Sequence, residues 1–172
     1  MRILAASLIL AAVSASSIHA QQTGASIDLP TGVQVVLRAT GDGVQIYTCT
    51  STPAATKWTL KAPDAKLLDA SGKPIGSHFA GPTWKLNDGS QVQGKLIANR
   101  PSPEAGSVAW LLLRAKAGAA TGTFANVAFI RRTETHGGAA PASGCDGPQD
   151  AGKSAQVHYT ATYTFYSGPA AN

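Results

Sequence analysis

Hydrophobic and polar residues alternate in short runs along most of this chain, the period-2 signature of strands with one buried face. The pattern is clearest over residues 155–166 (AQVHYTATYTFY). There Val157, Tyr159, Ala161, Tyr163 and Phe165 point one way, and Gln156, His158, Thr160, Thr162 and Thr164 the other. Residues 33–39 (VQVVLRA) and 44–50 (VQIYTCT) are rich in β-branched side chains, and Gly41-Asp42-Gly43 between them predicts a tight hairpin. In the second run Val44, Ile46 and Thr48 share one face and Gln45, Tyr47 and Cys49 the other, which suits a central strand. Two short strands follow at 57–61, with Trp58 and Leu60 on one face, and at 65–70, closed by Ser71-Gly72.

Residues 74–78 read as extended, Ala80-Gly81-Pro82 as a turn, and 83–86 as a strand leading into Asn87-Asp88-Gly89, a second hairpin signal. Residues 90–98 return across it with Val92 and Leu96 inward, and Gly94 marks a bulge or a close backbone approach. Residues 107–116 (SVAWLLLRAK) have helical propensity, but the run is short and flanked by Pro101, Pro103 and Gly118, which predicts a buried strand. Residues 121–123 turn into a strand over 124–133, where Phe124, Ala128 and Ile130 share one parity. A long Gly/Pro/Ala loop over 135–153 carries His136 and Cys145. The expected fold is a single-domain, all-β antiparallel sandwich or barrel with long Gly/Pro-rich loops and one disulfide.

The N-terminus departs from this pattern. Met1-Arg2 precedes an apolar run over residues 3–13, shorter than the about 20 residues a membrane span takes. Small residues follow, and Ala20 before Gln21-Gln22 suits signal cleavage. With no lipobox Cys and no twin-Arg pair, the general secretory route is expected. The plan is a signal peptide over 1–20, a flexible leader over 21–29 and one domain over 30–168, working in the periplasm or outside the cell with no membrane span. Export gives Cys49 and Cys145 their meaning: an even pair in an oxidising compartment predicts a disulfide, worth about 4 to 5 kcal/mol for so long a loop in the chain-entropy view. Redox pairs usually have Cys-x-x-Cys spacing, which is missing, and two separately buried thiols are the remaining alternative.

Charged residues are only 13% of the chain, so its surface leans on Thr, Ser, Gln, Asn and Gly. The net charge of +5 is scattered rather than gathered in a stripe, which argues against nucleic-acid binding. His78 precedes Ala80-Gly81-Pro82 and His136 precedes Gly137-Gly138. If those loops converge, the two could bind a metal with Asp88 or Asp69 as third ligand, although His-x-His spacing is missing. No other cofactor is expected. His158 reads as solvated. Asp69 and Asp88 could form the carboxylate pair of a glycosidase, but both occupy turn positions that favour Asp for local hydrogen bonds. A triad drawn from Ser77 or Ser90 lacks a nucleophile elbow. Trp58 and Trp110 are expected in the core, and Trp84 at a groove.

Taken in order, Val44-Gln45-Ile46-Tyr47-Thr48-Cys49, Trp58, Leu68-Asp69 with Gly72, Gly76-Ser77-His78-Phe79-Ala80-Gly81-Pro82-Thr83-Trp84 and Asp88-Gly89-Ser90 carry a resemblance. So do Val108-Ala109-Trp110-Leu111-Leu112, Gly122-Thr123, Ile130-Arg131-Arg132-Thr133, His136-Gly137-Gly138, Cys145 and residues 157–165. Together they resemble a family of exported bacterial and fungal proteins known as domain of unknown function 3455, over nearly all of the mature chain. Some fungal members are labelled malate dehydrogenase, which this sequence does not support, because it has no strand-GxGxxG-helix unit. The reading is an exported, non-catalytic binding or interaction module for a small molecule, glycan or protein. The alternatives are a metal- or small-ligand-binding protein using His78 and His136, and a secreted polysaccharide hydrolase. Trp84, Asp88, His78 and His136 are the candidate ligand residues.

Overall fold

In the computed structural model, which describes residues 26–116 and 122–168, eight antiparallel strands close into a barrel in simple sequence order. They are β1 (Val35–Ser51), β2 (Thr56–Leu68), β3 (Pro74–Phe79), β4 (Thr83–Leu86), β5 (Gln91–Arg100), β6 (Trp110–Ala115), β7 (Val127–Gly137) and β8 (Ser154–Ser167). Pairing of β1 with β8 closes the ring. The signal peptide expected over 1–20 and residues 21–25 lie outside the described residues.

The hairpin expected at Gly41-Asp42-Gly43 does not form; β1 runs straight through it. These glycines serve close approach instead. A Cβ on Gly41 would lie 2.5 Å from the Tyr163 ring, and one on Gly43 2.1 Å from the Asp64 carbonyl oxygen. Likewise the two strands expected at 57–61 and 65–70 are one strand, β2, with a register shift opposite Ile46/Tyr47. The Asn87-Asp88-Gly89 turn forms as expected: Gly89 has φ +86°, and Leu86 N donates to Ser90 O at 2.9 Å. Residues 110–115 are strand, not helix.

Inward parity is set most plainly by β8, where Tyr159, Ala161, Tyr163 and Phe165 are all buried. They meet Leu67, Trp84, Leu86, Val92, Leu113, Phe124 and Ile130 in one core. Phe124 arrives from a 3-10 turn (Gly122–Phe124) rather than from the strand, and Ala128 falls on the outer face with Phe129. A register break between Val127 and Phe129 explains why the parity read from the sequence fails there. Leu96 was expected inward with Val92 and is 48% exposed. β4 spans only four residues and pairs with β5 no further than Gln93, so β5 beyond Gly94 keeps only β6 as a neighbour and Leu96 loses its cover.

A second apolar layer lies outside the barrel. Ile27, Leu29 and Val33 pack on Leu112, Phe129 and Tyr166. The leader was expected to be loose, but its described end is docked, because outward residues of β6, β7 and β8 are apolar and need cover. Three guanidinium groups extend that face: Arg100 over Trp110, Arg114 over Phe129 and Arg131 over Tyr166.

Cys49 and Cys145 form the disulfide, with Cα atoms 5.5 Å apart across a sequence separation of 96. It fastens the connection between β7 and β8 to β1. The same connection is held by Trp58 Nε1 donating to Ser143 O at 3.0 Å, by Tyr47 Oη donating to Gly138 O at 2.6 Å, and by backbone bonds between Cys49 and both Gly152 and Lys153. A connection with little regular structure of its own is thereby tied down at one end of the barrel.

Candidate functional site

At that end the inner face of the barrel changes character. Gln45 on β1, His78 on β3, Arg132 and Thr135 on β7, and Tyr159 and Tyr163 on β8 are all buried. Each lies inward because strand parity puts it there: Arg132 pairs with Tyr163, Gly43 with Tyr159, and Ala65 with His78.

His78 is the best-fixed member. Its ring stacks on Trp84 with centroids 4.4 Å apart and meets Tyr163 edge-on at 5.0 Å. Nδ1 bonds the Thr83 carbonyl oxygen at 2.8 Å. A carbonyl only accepts, so Nδ1 carries the proton and Nε2 presents a lone pair. Burial pushes the His78 pKa down to about 4; the carbonyl bond opposes this and the nearby Arg132 charge adds to it. The ring is therefore neutral at pH 7.

Arg132 is the cation of the interior. Nε and Nη2 both donate to the Ala109 carbonyl oxygen, at 3.0 and 2.8 Å. Among the described residues it has no carboxylate partner; the ion pairs there are His136–Glu104, Lys153–Asp150 and His158–Asp42. Its field reaches Tyr47, His78, Tyr159 and Tyr163. The Tyr159 and Tyr163 hydroxyls lie 3.2 Å apart, and burial raises both pKa values above the usual tyrosine range, so both stay protonated.

Gln45 is only 1% exposed, and among the described residues neither its Nε2 nor its Oε1 has a hydrogen-bond partner. The indole N–H of Trp84 is likewise buried and unpartnered. Such groups are rare in a folded interior, and each costs roughly 1 to 3 kcal/mol if left so. Gln45 belongs to the same end as the tyrosines: a Cβ added at Gly138 would lie 2.7 Å from Tyr159 Cβ and 3.2 Å from Gln45 Cγ.

The residues singled out from the sequence divide. His78 lies inside this cluster. Trp84 does too, but as core: it is 1% exposed, not at a groove, because it pairs with His78 on β3 and its ring stacks on the imidazole. His136 lies on the outer surface, 63% exposed, with Nδ1 on Glu104. The structure does not bring it together with His78. Among the described residues no three His, Cys, Asp or Glu side chains gather as metal ligands would. His158 is exposed and bonded to Asp42.

Asp88 sits at the opposite end. One oxygen accepts from the backbone N–H and hydroxyl of Ser90, the other from the N–H and hydroxyl of Thr123. The Ser90 and Thr123 bonds hold its carboxyl well below the usual range. It borders a shallow recess of about 360 Å³ with Leu37, Lys73, Ile75 and Leu86. Asp69 is bonded to Ser71 and to Lys73 N, which lowers its pKa in the same way. Both are turn anchors: the two Asp88 oxygens and Oδ1 of Asp69 are already engaged. Trp58, expected in the core, is half-exposed and bonds the 138–153 connection, and Trp110 is on the outer face under Arg100. Sequence reading passed over Gln45 and Arg132 as site residues. The available signal was parity, since Gln45 alternates with Tyr47 and Cys49, and Arg132 with Ile130.

The fold and this interior define a closed, disulfide-tied antiparallel barrel with an underbonded polar end. The chain belongs to the family described as protein of unknown function (DUF3455), whose model matches residues 30–167. No curated protein and no solved structure matches it.

Proposed function

We propose that this protein is a non-catalytic binding module that takes one small polar molecule into the barrel interior, and that it works after export. The observation that carries this reading is Gln45, fully buried with both ends of its amide unsatisfied among the described residues. Replacing an unsatisfied buried polar group by an apolar one of similar shape is close to neutral or stabilising, so folding alone gives no reason to keep a glutamine there. A ligand gives one. The groups around it suit holding better than chemistry: His78 has its Nδ1 fixed on a carbonyl and stays neutral, and the turn carboxylates Asp69 and Asp88 are engaged elsewhere.

Thermal unfolding of the oxidised protein against a panel of small polar compounds, neutral and charged, tests the reading. At least one compound is expected to raise the Tm saturably, by the mass-action rule for a ligand of the folded state. Gln45→Leu is expected to unfold at or above the wild-type temperature and to respond at least tenfold more weakly. No response from any compound, or an equal response from Gln45→Leu, contradicts the proposal.

A further inference from the structure

The identity of the unspent hydrogen-bonding groups narrows what the interior can hold. A guanidinium has five N–H bonds. Ala109 takes one from Nε and one from Nη2, and the Tyr163 hydroxyl accepts from the same guanidinium, which leaves two hydrogens. Two N–H bonds of one guanidinium can meet two oxygens of one carboxylate, here beside the Tyr163 hydroxyl. Tyr159 and Tyr163 share one bond between two hydroxyls, so one of their two protons is left to donate. Trp84 Nε1 and the two hydrogens on Gln45 Nε2 are also free. Against these stand few acceptors, chiefly Gln45 Oε1 and His78 Nε2. The carboxylates in reach of the cluster do not fill the need. The field of Asp64 touches Tyr159, but Asp64 is exposed on β2, and the buried Asp150 is bonded to Lys153 and to the Asp146 and Gly147 amides.

We infer that the interior ligand is a small monocarboxylate, of formate or acetate size, seated on the Arg132 guanidinium with a tyrosine hydroxyl and the Gln45 amide completing its bonds. This rests on the interior site proposed above. A buried guanidinium without a counter-charge is costly, and an anion supplied from solution offsets that cost while finding donors already held in place by the barrel. The neutral His78 adds no competing charge and leaves a net of one positive charge to be matched.

The test is titration calorimetry and thermal unfolding of the oxidised protein with formate, acetate, chloride and neutral acetamide, at constant ionic strength held by a bulky anion. Saturable binding of formate or acetate is expected, with chloride and acetamide at least tenfold weaker. Arg132→Lys keeps the charge but loses the fork, and is expected to weaken carboxylate binding at least tenfold. Should that variant fail to fold, Gln45→Glu supplies a carboxylate from within the barrel and is expected to abolish binding of the added one. Saturable binding of acetamide without binding of formate or acetate overturns the carboxylate assignment and leaves the interior site standing. So does chloride binding as tightly as formate. Binding by none of the four overturns this inference, and the wider panel above then decides the site itself. Unchanged carboxylate binding in a folded Arg132→Lys or Gln45→Glu places the carboxylate elsewhere and overturns the inference.

Discussion

The two ends of the barrel interior are made by the same strands and treated differently. Toward the Asp88 turn the inner face carries Leu67, Leu86, Val92, Ile130, Phe124 and Phe165, with the two phenylalanine rings 4.6 Å apart. Toward the disulfide it carries Gln45, His78, Arg132, Tyr159 and Tyr163. The first end buries apolar area at roughly 25 cal/mol per Å² and is self-sufficient. The second buries a cation with no carboxylate partner and an amide with no hydrogen bond among the described residues, both of which work against folding. It is also the end to which covalent and hydrogen-bonded ties are added, through Cys145, Ser143 and Gly138. On the function proposed above, a barrel that stabilises one end by packing and the other by tethering keeps the second end polar for its ligand.

Changes at each end should then fail differently. Removing the tether with Cys49→Ala and Cys145→Ala together should have the largest effect, up to about 4 to 5 kcal/mol in denaturant unfolding, by the entropy of so long a loop. It should also abolish any ligand response, since the connection it frees touches the polar end. Phe165→Ala at the apolar end should cost about 3 to 5 kcal/mol, the usual range for emptying a buried aromatic position. The response to ligand should survive it under conditions where the variant is folded.

The smallest of the three is a pH effect. His78 has a folded pKa of about 4 and an ordinary value of 6.5, so between them the unfolded chain binds more protons. Stability is full above pH 6.5 and falls as the pH drops toward 4, by roughly 3 kcal/mol at most over that window. Asp69, Asp88 and Asp150, all with lowered pKa, add their losses only below about pH 5. The part of the slope between pH 6.5 and 5 that depends on residue 78 is the His78 contribution. Urea midpoints at half-unit steps should show it in the wild type and not in a folded His78→Gln variant.

Much of this was legible in the sequence. Alternation over 155–166 gave the inward row of β8, the Asn-Asp-Gly turn was where its residues put it, and export logic paired Cys49 with Cys145. What failed was local inference from small or polar residues. Gly41 and Gly43 read as a turn, but a strand also uses glycine where another side chain or backbone comes close, and only the tertiary neighbour decides which. Trp84 read as exposed because Gly-Pro-Thr precedes it, yet parity from β3 through β4 turns it inward. The site stayed hidden for a related reason. Gln45 and Arg132 are polar, and a single strand does not reveal which of its faces is inside. Closure of the ring shows it, because inward positions from five different strands then meet.

The measurement closest to the central claim is the side-chain amide signal of Gln45 in ¹H–¹⁵N spectra of the oxidised protein, assigned by its loss in Gln45→Leu and followed through a titration with acetate. Saturable movement of that one pair, with the exposed Gln91 and Gln149 amides unmoved, is the predicted result. A Gln45 amide that stays still while acetate binds, or an interior that responds to none of the small polar molecules offered, would contradict it.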